Sequence, residues 1–366
     1  MEIKVKNEDL MKALQNVGSV ISTKTIEPIL QNVLLKIEDG TPYLVGTNLE
    51  QGMKVKLNAE VKDAEEVSEV VLQYALLKNV VSKFKKDKET IIDINSKTSS
   101  VKQGSSVYKI NNLDASAFAL LPDVEEKVKF EIKLDTLRDL IDETLFAVSK
   151  KEESRKEFRG VFFEVTDGKI RFVGTDGTVL AKSEMPMQNL PEISFIIPWK
   201  ATEILQKANL DSESVLVLSD NTQIAFVTPD ITIVSLLING TYPPYEQVIP
   251  KESEFTAETN KAELLEALNR LETIANRGTG KVALLFSENT ITASAKSPEM
   301  GEGKEKLHFE GNAEVEVVFS SSKLIEGISH IKADTVKFFM NGPLHPVKII
   351  GQGDDSFVYV IMPQRP

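Results

Sequence analysis

Any catalytic reading must begin with the three histidines, His308, His330 and His345. No two of them have the His-x-x-x-His spacing that places two imidazoles on one helix face for a metal. Gly278-Thr279-Gly280-Lys281 has the look of a phosphate-binding loop. The upstream glycine is missing, however, and Val282 stands where Ser or Thr would ligate magnesium. Gly351-Gln352-Gly353 carries Ser356 where a dinucleotide fingerprint needs glycine, and no helix is expected after it. Asp167-Gly168 and Asp176-Gly177 could present carboxylates, but Asp-Gly between alternating apolar segments is first of all hairpin-turn chemistry. With no cysteine in the chain, disulfides, thiolate catalysis and cysteine-based zinc sites are excluded. No acid, base and nucleophile converge, so the expectation is a protein without catalytic residues, metal or cofactor.

Two segments exceed what turns explain. One is Thr175-Asp176-Gly177-Thr178-Val179-Leu180, which follows a strand, and the other is the run from Thr241 to Pro250, with Tyr242, Pro243, Pro244 and Tyr245. The chain also closes on apolar residues, Val360-Ile361-Met362-Pro363. Apolar loops containing Met and Pro mark a peptide groove if they stay exposed, or pack between domains if they do not.

The elements behind these segments come in triplicate. A strand–helix opening recurs at Ile3 running into 7–22, at Phe130 running into 135–151 and at Phe255 running into 261–277. A strand ending in an acidic-Gly turn recurs at Asn32 to Gly40 and Gly160 to Gly168, 128 positions apart without a gap through Thr47 and Thr175. The third copy, Val282 to Asn289, is weaker. Each repeat divides again into a second strand–helix–strands unit, with helices over 73–86, 199–208 and 321–332. A period of roughly 120 residues means whole domains rather than a solenoid. Strands that end in an apolar-Pro pair, Leu121-Pro122 and Ile249-Pro250, predict domains at 1–122, 123–250 and 251–366. Alternating apolar and polar residues in the strands mark sheets with one face on a core.

The chain has 366 residues, 41% hydrophobic and 27% charged, the balance of a soluble globular protein. No apolar run of 18 residues is present, so no membrane partner is expected. Met1 to Lys6 reads as a strand rather than a leader, and a cytoplasmic location is the expectation. The net charge of −12 argues against a conventional nucleic-acid binder. The six helix windows are nevertheless weakly basic as a set, and the strands and loops hold the acid. Helices sharing one surface could face phosphates while the rest of the molecule repels them.

Taken with Pro28-Ile29-Leu30, Gly46-Thr47-Asn48-Leu49-Glu50, Thr175-Asp176-Gly177, Tyr242-Pro243, Val248-Ile249-Pro250 and Met362-Pro363 with Arg365, the whole chain resembles the bacterial DNA polymerase III beta subunits, the sliding clamps. The resemblance implies an α+β DNA-clamp fold of three repeated domains, with helices lining a ring and sheets outside. It implies a head-to-tail homodimer encircling double-stranded DNA and tethering the replicative polymerase, the clamp loader and other proteins that carry a short apolar peptide. Twelve helices spaced about 10 Å apart would make a ring of roughly 38 Å through their axes. Removing a helix radius of about 5 Å on each side leaves room for a duplex. Such binding is topological and needs few phosphate contacts, which reconciles an acidic chain with a DNA partner.

By the same resemblance, Lys24 and Lys200 would face DNA, with Trp199 where a basic residue is common. Tyr108 and Ile110 would meet Ile274 of a second copy. The partner-peptide pocket would be built from Phe158, Thr175, Gly177, Leu180, Pro243, Val248, Pro346, Val360, Met362, Pro363 and Arg365. Thr178-Val179 replaces the usual His-Arg pair, Gln364 an apolar residue and Pro366 a Leu-like terminus. Two other functions compete with the clamp. One is a peptide-docking scaffold that does not encircle DNA; the other is an α+β enzyme, for which the sequence offers no catalytic set.

Overall fold

The computed structural model describes residues 1–22, 25–63, 68–95, 97–120, 123–188, 190–275 and 279–365. Lys24, Leu121, Pro122, Gly278 and Pro366 lie outside the described residues.

One order of elements is used three times, with an extra short strand, β5 (Ala59–Lys62) and β22 (Glu310–Gly311), in the first and third passes. The first pass is β1 (Glu2–Lys6), α1 (Asn7–Gly18), β2 (Val33–Glu38), β3 (Thr41–Thr47), β4 (Gln51–Lys56), β5 (Ala59–Lys62), β6 (Glu69–Leu72), α2 (Tyr74–Val81), β7 (Glu89–Ile94), β8 (Thr98–Gln103) and β9 (Ser106–Asn111). The second is β10 (Val128–Lys133), α3 (Leu134–Leu145), β11 (Gly160–Thr166), β12 (Lys169–Thr175), β13 (Val179–Pro186), β14 (Ile193–Pro198), α4 (Trp199–Lys207), β15 (Ser214–Ser219), β16 (Gln223–Val227) and β17 (Ile231–Leu236). The third is β18 (Phe255–Asn260), α5 (Lys261–Ala275), β19 (Lys281–Ser287), β20 (Thr290–Ser297), β21 (Gly301–His308), β22 (Glu310–Gly311), β23 (Val315–Ser320), α6 (Ser321–Ser329), β24 (Thr335–Met340), β25 (Val347–Gly351) and β26 (Asp354–Ile361).

By contacts the chain forms two compact units. The first holds Met1–Leu137 with Lys200–Leu237, and the second holds Arg138–Trp199 with Ile238–Pro366. Unit one contains a five-stranded sheet in the order β5-β1-β7-β8-β9 and an eight-stranded sheet in the order β10-β15-β16-β17-β4-β3-β2-β6. Unit two contains a nine-stranded sheet, β14-β11-β12-β13-β26-β25-β24-β18-β22, and a four-stranded sheet, β21-β20-β19-β23. The two largest sheets are therefore built by the same join. In each, a strand from the first half of one repeat pairs antiparallel with the last strand of the next, β4 with β17 and β13 with β26.

The helices form because their apolar residues fall on one side. In α1, Leu10, Ala13, Leu14 and Val17 are buried; in α5, Leu264, Ala267, Leu268, Leu271 and Ala275 are. That is the spacing of a single apolar stripe, and each fully buried Leu or Val contributes about 1.5–3 kcal/mol. The stripes lie close against strands where a glycine permits it. A Cβ on Gly46 of β3 would meet Val17 of α1 at 2.8 Å, and one on Gly174 of β12 would meet the Thr144 carbonyl of α3 at 2.1 Å.

Helices α1, α2, α3, α4 and α6 end earlier than the sequence windows. As bounded, they carry more carboxylates than cations, so the expected basic excess is not on the helices themselves. It lies in the turns that follow them: Lys83, Lys85 and Lys86 after α2, and Lys150 and Lys151 after α3. The windows overshot because helical spacing of apolar residues continues through those turns. Among the described residues, no helix is long and apolar enough to cross a membrane.

Gly174→Ala is expected to cost about 1–3 kcal/mol by overpacking, read as a lower urea midpoint. A midpoint equal to that of the parent would contradict this packing account.

Candidate functional site

The residues singled out from the sequence gather where β13 meets β26 in unit two. Leu180 stands opposite Val360 in that ladder. Both belong to a buried cluster with Val173, Ile196, Tyr242, Tyr245, Ile350 and Val358, against which Phe162 and Ile249 also pack. Tyr242 stacks on Phe162 with ring centroids 4.5 Å apart, and its hydroxyl donates to the Val173 carbonyl at 3.3 Å. These contacts hold the Thr241 to Pro250 run onto the sheet. The run carries half-buried Pro243 and exposed Val248 at its surface. Val248 is 46% exposed and Met362 39%, so apolar surface remains open beside a sealed apolar floor.

The wall of the site is the loop between β12 and β13. The Thr175 hydroxyl donates to the Val179 carbonyl at 2.5 Å and accepts from the Gly177 N–H at 3.1 Å. Asp176 Oδ1 accepts from the Thr178 N–H at 2.8 Å and the Val179 N–H at 3.0 Å. Gly177 has φ +88, which strains any residue with a Cβ, and a Cβ there would lie 3.2 Å from the Phe158 ring. The short 3-10 helix Lys156–Arg159 presents Phe158, and the Arg155 guanidinium lies 5.3 Å from its ring centroid. The Met362 N–H donates to the Thr178 carbonyl at 2.9 Å, tying the chain's end to this loop. Pro346 immediately precedes β25, whose Val347 pairs with Ile361. Arg365 is exposed, and its carbonyl accepts from Lys281 Nζ at 2.7 Å.

One residue the sequence did not flag closes the loop. Lys323 of α6 donates to Asp176 Oδ2 and to Thr178 Oγ1, both at 2.5 Å. Burial pushes the Asp176 carboxyl up, but Lys323 and the Thr178 donors outweigh it and hold the group below its usual range. No signal in the sequence marks a pairing across 147 positions.

Beside the floor, on the same face of the sheet, lies a charge network that was equally silent. The Tyr245 hydroxyl donates to Glu164, Arg171 Nη1 lies 3.6 Å from Glu164, and Arg171 Nε donates to Glu184 at 3.0 Å. Lys169 and Lys182 also donate to Glu184, at 2.6 and 2.9 Å. The remaining sequence-derived residues lie elsewhere. Lys200 is exposed in the first turn of α4, and Lys150 lies 5.1 Å from the Trp199 ring centroid. Tyr108 is 47% exposed on β9, whereas Ile110 is buried in the core of its own unit. Ile274 is half-buried on α5. Of the histidines, His330 stacks on Phe146 at 4.1 Å, a packing role.

Comparison with known proteins fits this arrangement. The family models for the N-terminal, central and C-terminal domains of the DNA polymerase III beta subunit match residues 1–122, 131–244 and 246–365. The chain belongs to the DNA polymerase III beta subunit family. It is similar to the beta sliding clamp of Escherichia coli K12, 29% identical with all of both chains covered, and to that of Bacillus subtilis 168, 26% identical with the same coverage. Its structure is similar to that of the Pseudomonas aeruginosa beta subunit, with a TM-score of 0.93, 27% identity and full coverage of both chains. The Thermotoga maritima beta subunit, at 24% identity and TM-score 0.93, shares the fold over 100% of this chain and 99% of that one. The α+β arrangement described above is thus the clamp fold of this family.

The charge network sets a pH dependence. Burial raises the Glu184 carboxyl, but Lys169, Lys182 and Arg171 overcome it and bring it from 4.5 to about 2. A depressed folded value contributes stability above the unfolded value and loses it as pH falls from about 4.5 towards 2. Glu184→Gln should flatten that part of a stability–pH curve; identical acid limbs for variant and parent would contradict the assignment.

Proposed function

We propose that this chain is a DNA sliding clamp, a non-enzymatic processivity factor of the cytoplasm. Two copies would close head to tail around duplex DNA and hold the replicative polymerase and other replication proteins through a short apolar peptide. The division into clamp domains would be 1–122, 123–250 and 251–366.

The observation that carries this reading is the pairing of half-sheets. Each large sheet joins the first half of one repeat (β6-β2-β3-β4 or β14-β11-β12-β13, with outer strand β6 or β14 exchanged in from the second strand–helix unit) to the second half of the next (β17-β16-β15-β10 or β26-β25-β24-β18, with β10 or β18 exchanged in from the first). Two half-sheets are left over, the first half of repeat three, β23-β19-β20-β21, and the second half of repeat one, β9-β8-β7-β1. They have the same strand order as the halves already joined, and β21 and β9 stand where β4 and β17 stand. Pairing β21 of one copy with β9 of the next is a heterologous contact, and two such contacts close a dimeric ring. An exposed sheet edge is a template for pairing, and β9 adds apolar side chains, Val107 at 53% exposure beside Tyr108. Ile274 of α5 is 2.8 Å from a Cβ placed on Gly303 of β21, which supports a place for it at such a seam.

A peptide-docking role rests on the open apolar surface of Val248 and Met362 above a rigid floor. DNA would be held by enclosure, with exposed Lys200 facing phosphate and no base contacts needed.

Sedimentation should give about twice the mass of one chain, and Lys109→Pro, which removes an outward-facing edge N–H of β9, should give monomer. A parent that stays monomeric would favour the scaffold that does not encircle DNA. Met362→Ala with Pro363→Ala should abolish stimulation of the polymerase while leaving the dimer intact. Unchanged stimulation would remove the pocket from this role.

A further inference from the structure

We infer that Met362 is an oxidation site through which a hydroperoxide switches off docking at the apolar surface. The inference rests on the reading of that surface as a peptide site and names a regulation of it.

The chain has eight methionines and no cysteine, so thioethers are its only sulfur. Their exposure sorts them. Met1, Met53 and Met340 are buried. Met11, Met185 and Met187 are half-buried, the last two at the far end of β13 from the Thr178 loop. Met300, at 49%, and Met362, at 39%, are the two exposed ones. Met300 lies between β20 and β21 of the four-stranded sheet, whereas Met362 follows β26 of the nine-stranded one. Only at Met362 does an open thioether stand where a partner would dock.

A thioether is oxidised by oxygen transfer. A sulfur lone pair attacks the outer oxygen of the hydroperoxide, and an S–O bond forms as the O–O bond breaks. The leaving oxygen takes the proton and departs as an alcohol, or as water when the oxidant is hydrogen peroxide. Sulfur gives up two electrons and the peroxide gains them. A flexible apolar side chain thereby becomes a polar sulfoxide. A docked peptide would cover the new oxygen, which then needs a donor. Pro243 and Pro363 have no N–H, Val248 is hydrocarbon, and the Thr178 hydroxyl already donates to Asp176 Oδ1 at 2.8 Å.

The change stays within the side chain. The Met362 N–H donates to the Thr178 carbonyl at 2.9 Å and the Gln364 N–H to the Val318 carbonyl at 2.7 Å, so backbone bonds hold the segment whatever the sulfur carries. The repeat supplies a control. In the other large sheet Leu236 holds the matching place after the β4–β17 ladder, 38% exposed, with its N–H donating to the Glu50 carbonyl at 2.8 Å. This backbone frame therefore forms around a side chain without sulfur, and Met362→Leu should fold.

The test treats the intact protein with hydrogen peroxide, removes the oxidant, and follows binding of a fluorescent, sulfur-free peptide with Leu and Phe anchors by anisotropy. Mass spectrometry of proteolytic fragments counts the oxygen gained at each methionine. Affinity of the parent should fall roughly tenfold in step with oxygen at Met362, because an apolar contact becomes a covered polar group. Methionine sulfoxide reductases should restore it. Met300→Leu should lose affinity as the parent does, and Met362→Leu, whatever its starting affinity, should hold that value through the treatment. Three results overturn the inference and leave the docking site standing: affinity kept with Met362 oxidised, Met362 spared where Met300 is oxidised, or equal loss in Met362→Leu. Failure of the untreated parent to bind the peptide overturns the docking site as well, and the inference with it.

Discussion

The free edge of a β-sheet is the constraint on which this structure depends. A row of unpaired N–H and C=O groups must be paired or protected, and this chain pairs two such edges of its repeats with edges of the repeat that follows. Two of the joins, β4 with β17 and β13 with β26, are made within the chain by the same element order. The backbone ladder does the joining, so side chains on either face remain free to specialise. Closure by a second copy would complete the series without any new kind of contact.

Specialisation is visible in one loop used three times. Thr47, Thr175 and Ser219 each donate through the side-chain hydroxyl to a carbonyl four residues on. Asn48, Asp176 and Asp220 each cap two N–H groups, and the next residue has positive φ in all three. That residue is Leu49, Gly177 or Asn221. Only glycine leaves the neighbouring ring, Phe158, bare, and only this copy has a lysine drawn onto its acid. The scaffold repeats, and the site arises where a repeated position changes size and charge.

How much of this was legible in the chain depends on sequence distance. The repeats, the strand–helix–strands units and the α+β class could be read because 128-residue spacings and apolar periodicity are written locally. Helix ends could not, because apolar spacing runs on through the turns after α2 and α3 and hides where the backbone stops. Tyr108 and Ile110 share one face of β9, yet only Ile110 is covered by the core of its unit while Tyr108 stays exposed. The partners Asp176 and Lys323, or Tyr245 and Glu164, lie far apart in sequence, and nothing but the fold places them together. The pocket assignment came through resemblance rather than through physics, since an exposed Met362 or Val248 has no signature of its own.

The central claim is that the chain holds DNA by enclosing it through paired sheet edges, and retention on DNA of different topology tests it most directly. Loaded onto closed circular DNA, the protein should stay bound through high-salt washing, then leave rapidly once the circle is cut by a restriction enzyme. Equal loss from closed and linear DNA would contradict enclosure and leave a binding protein that only touches the duplex.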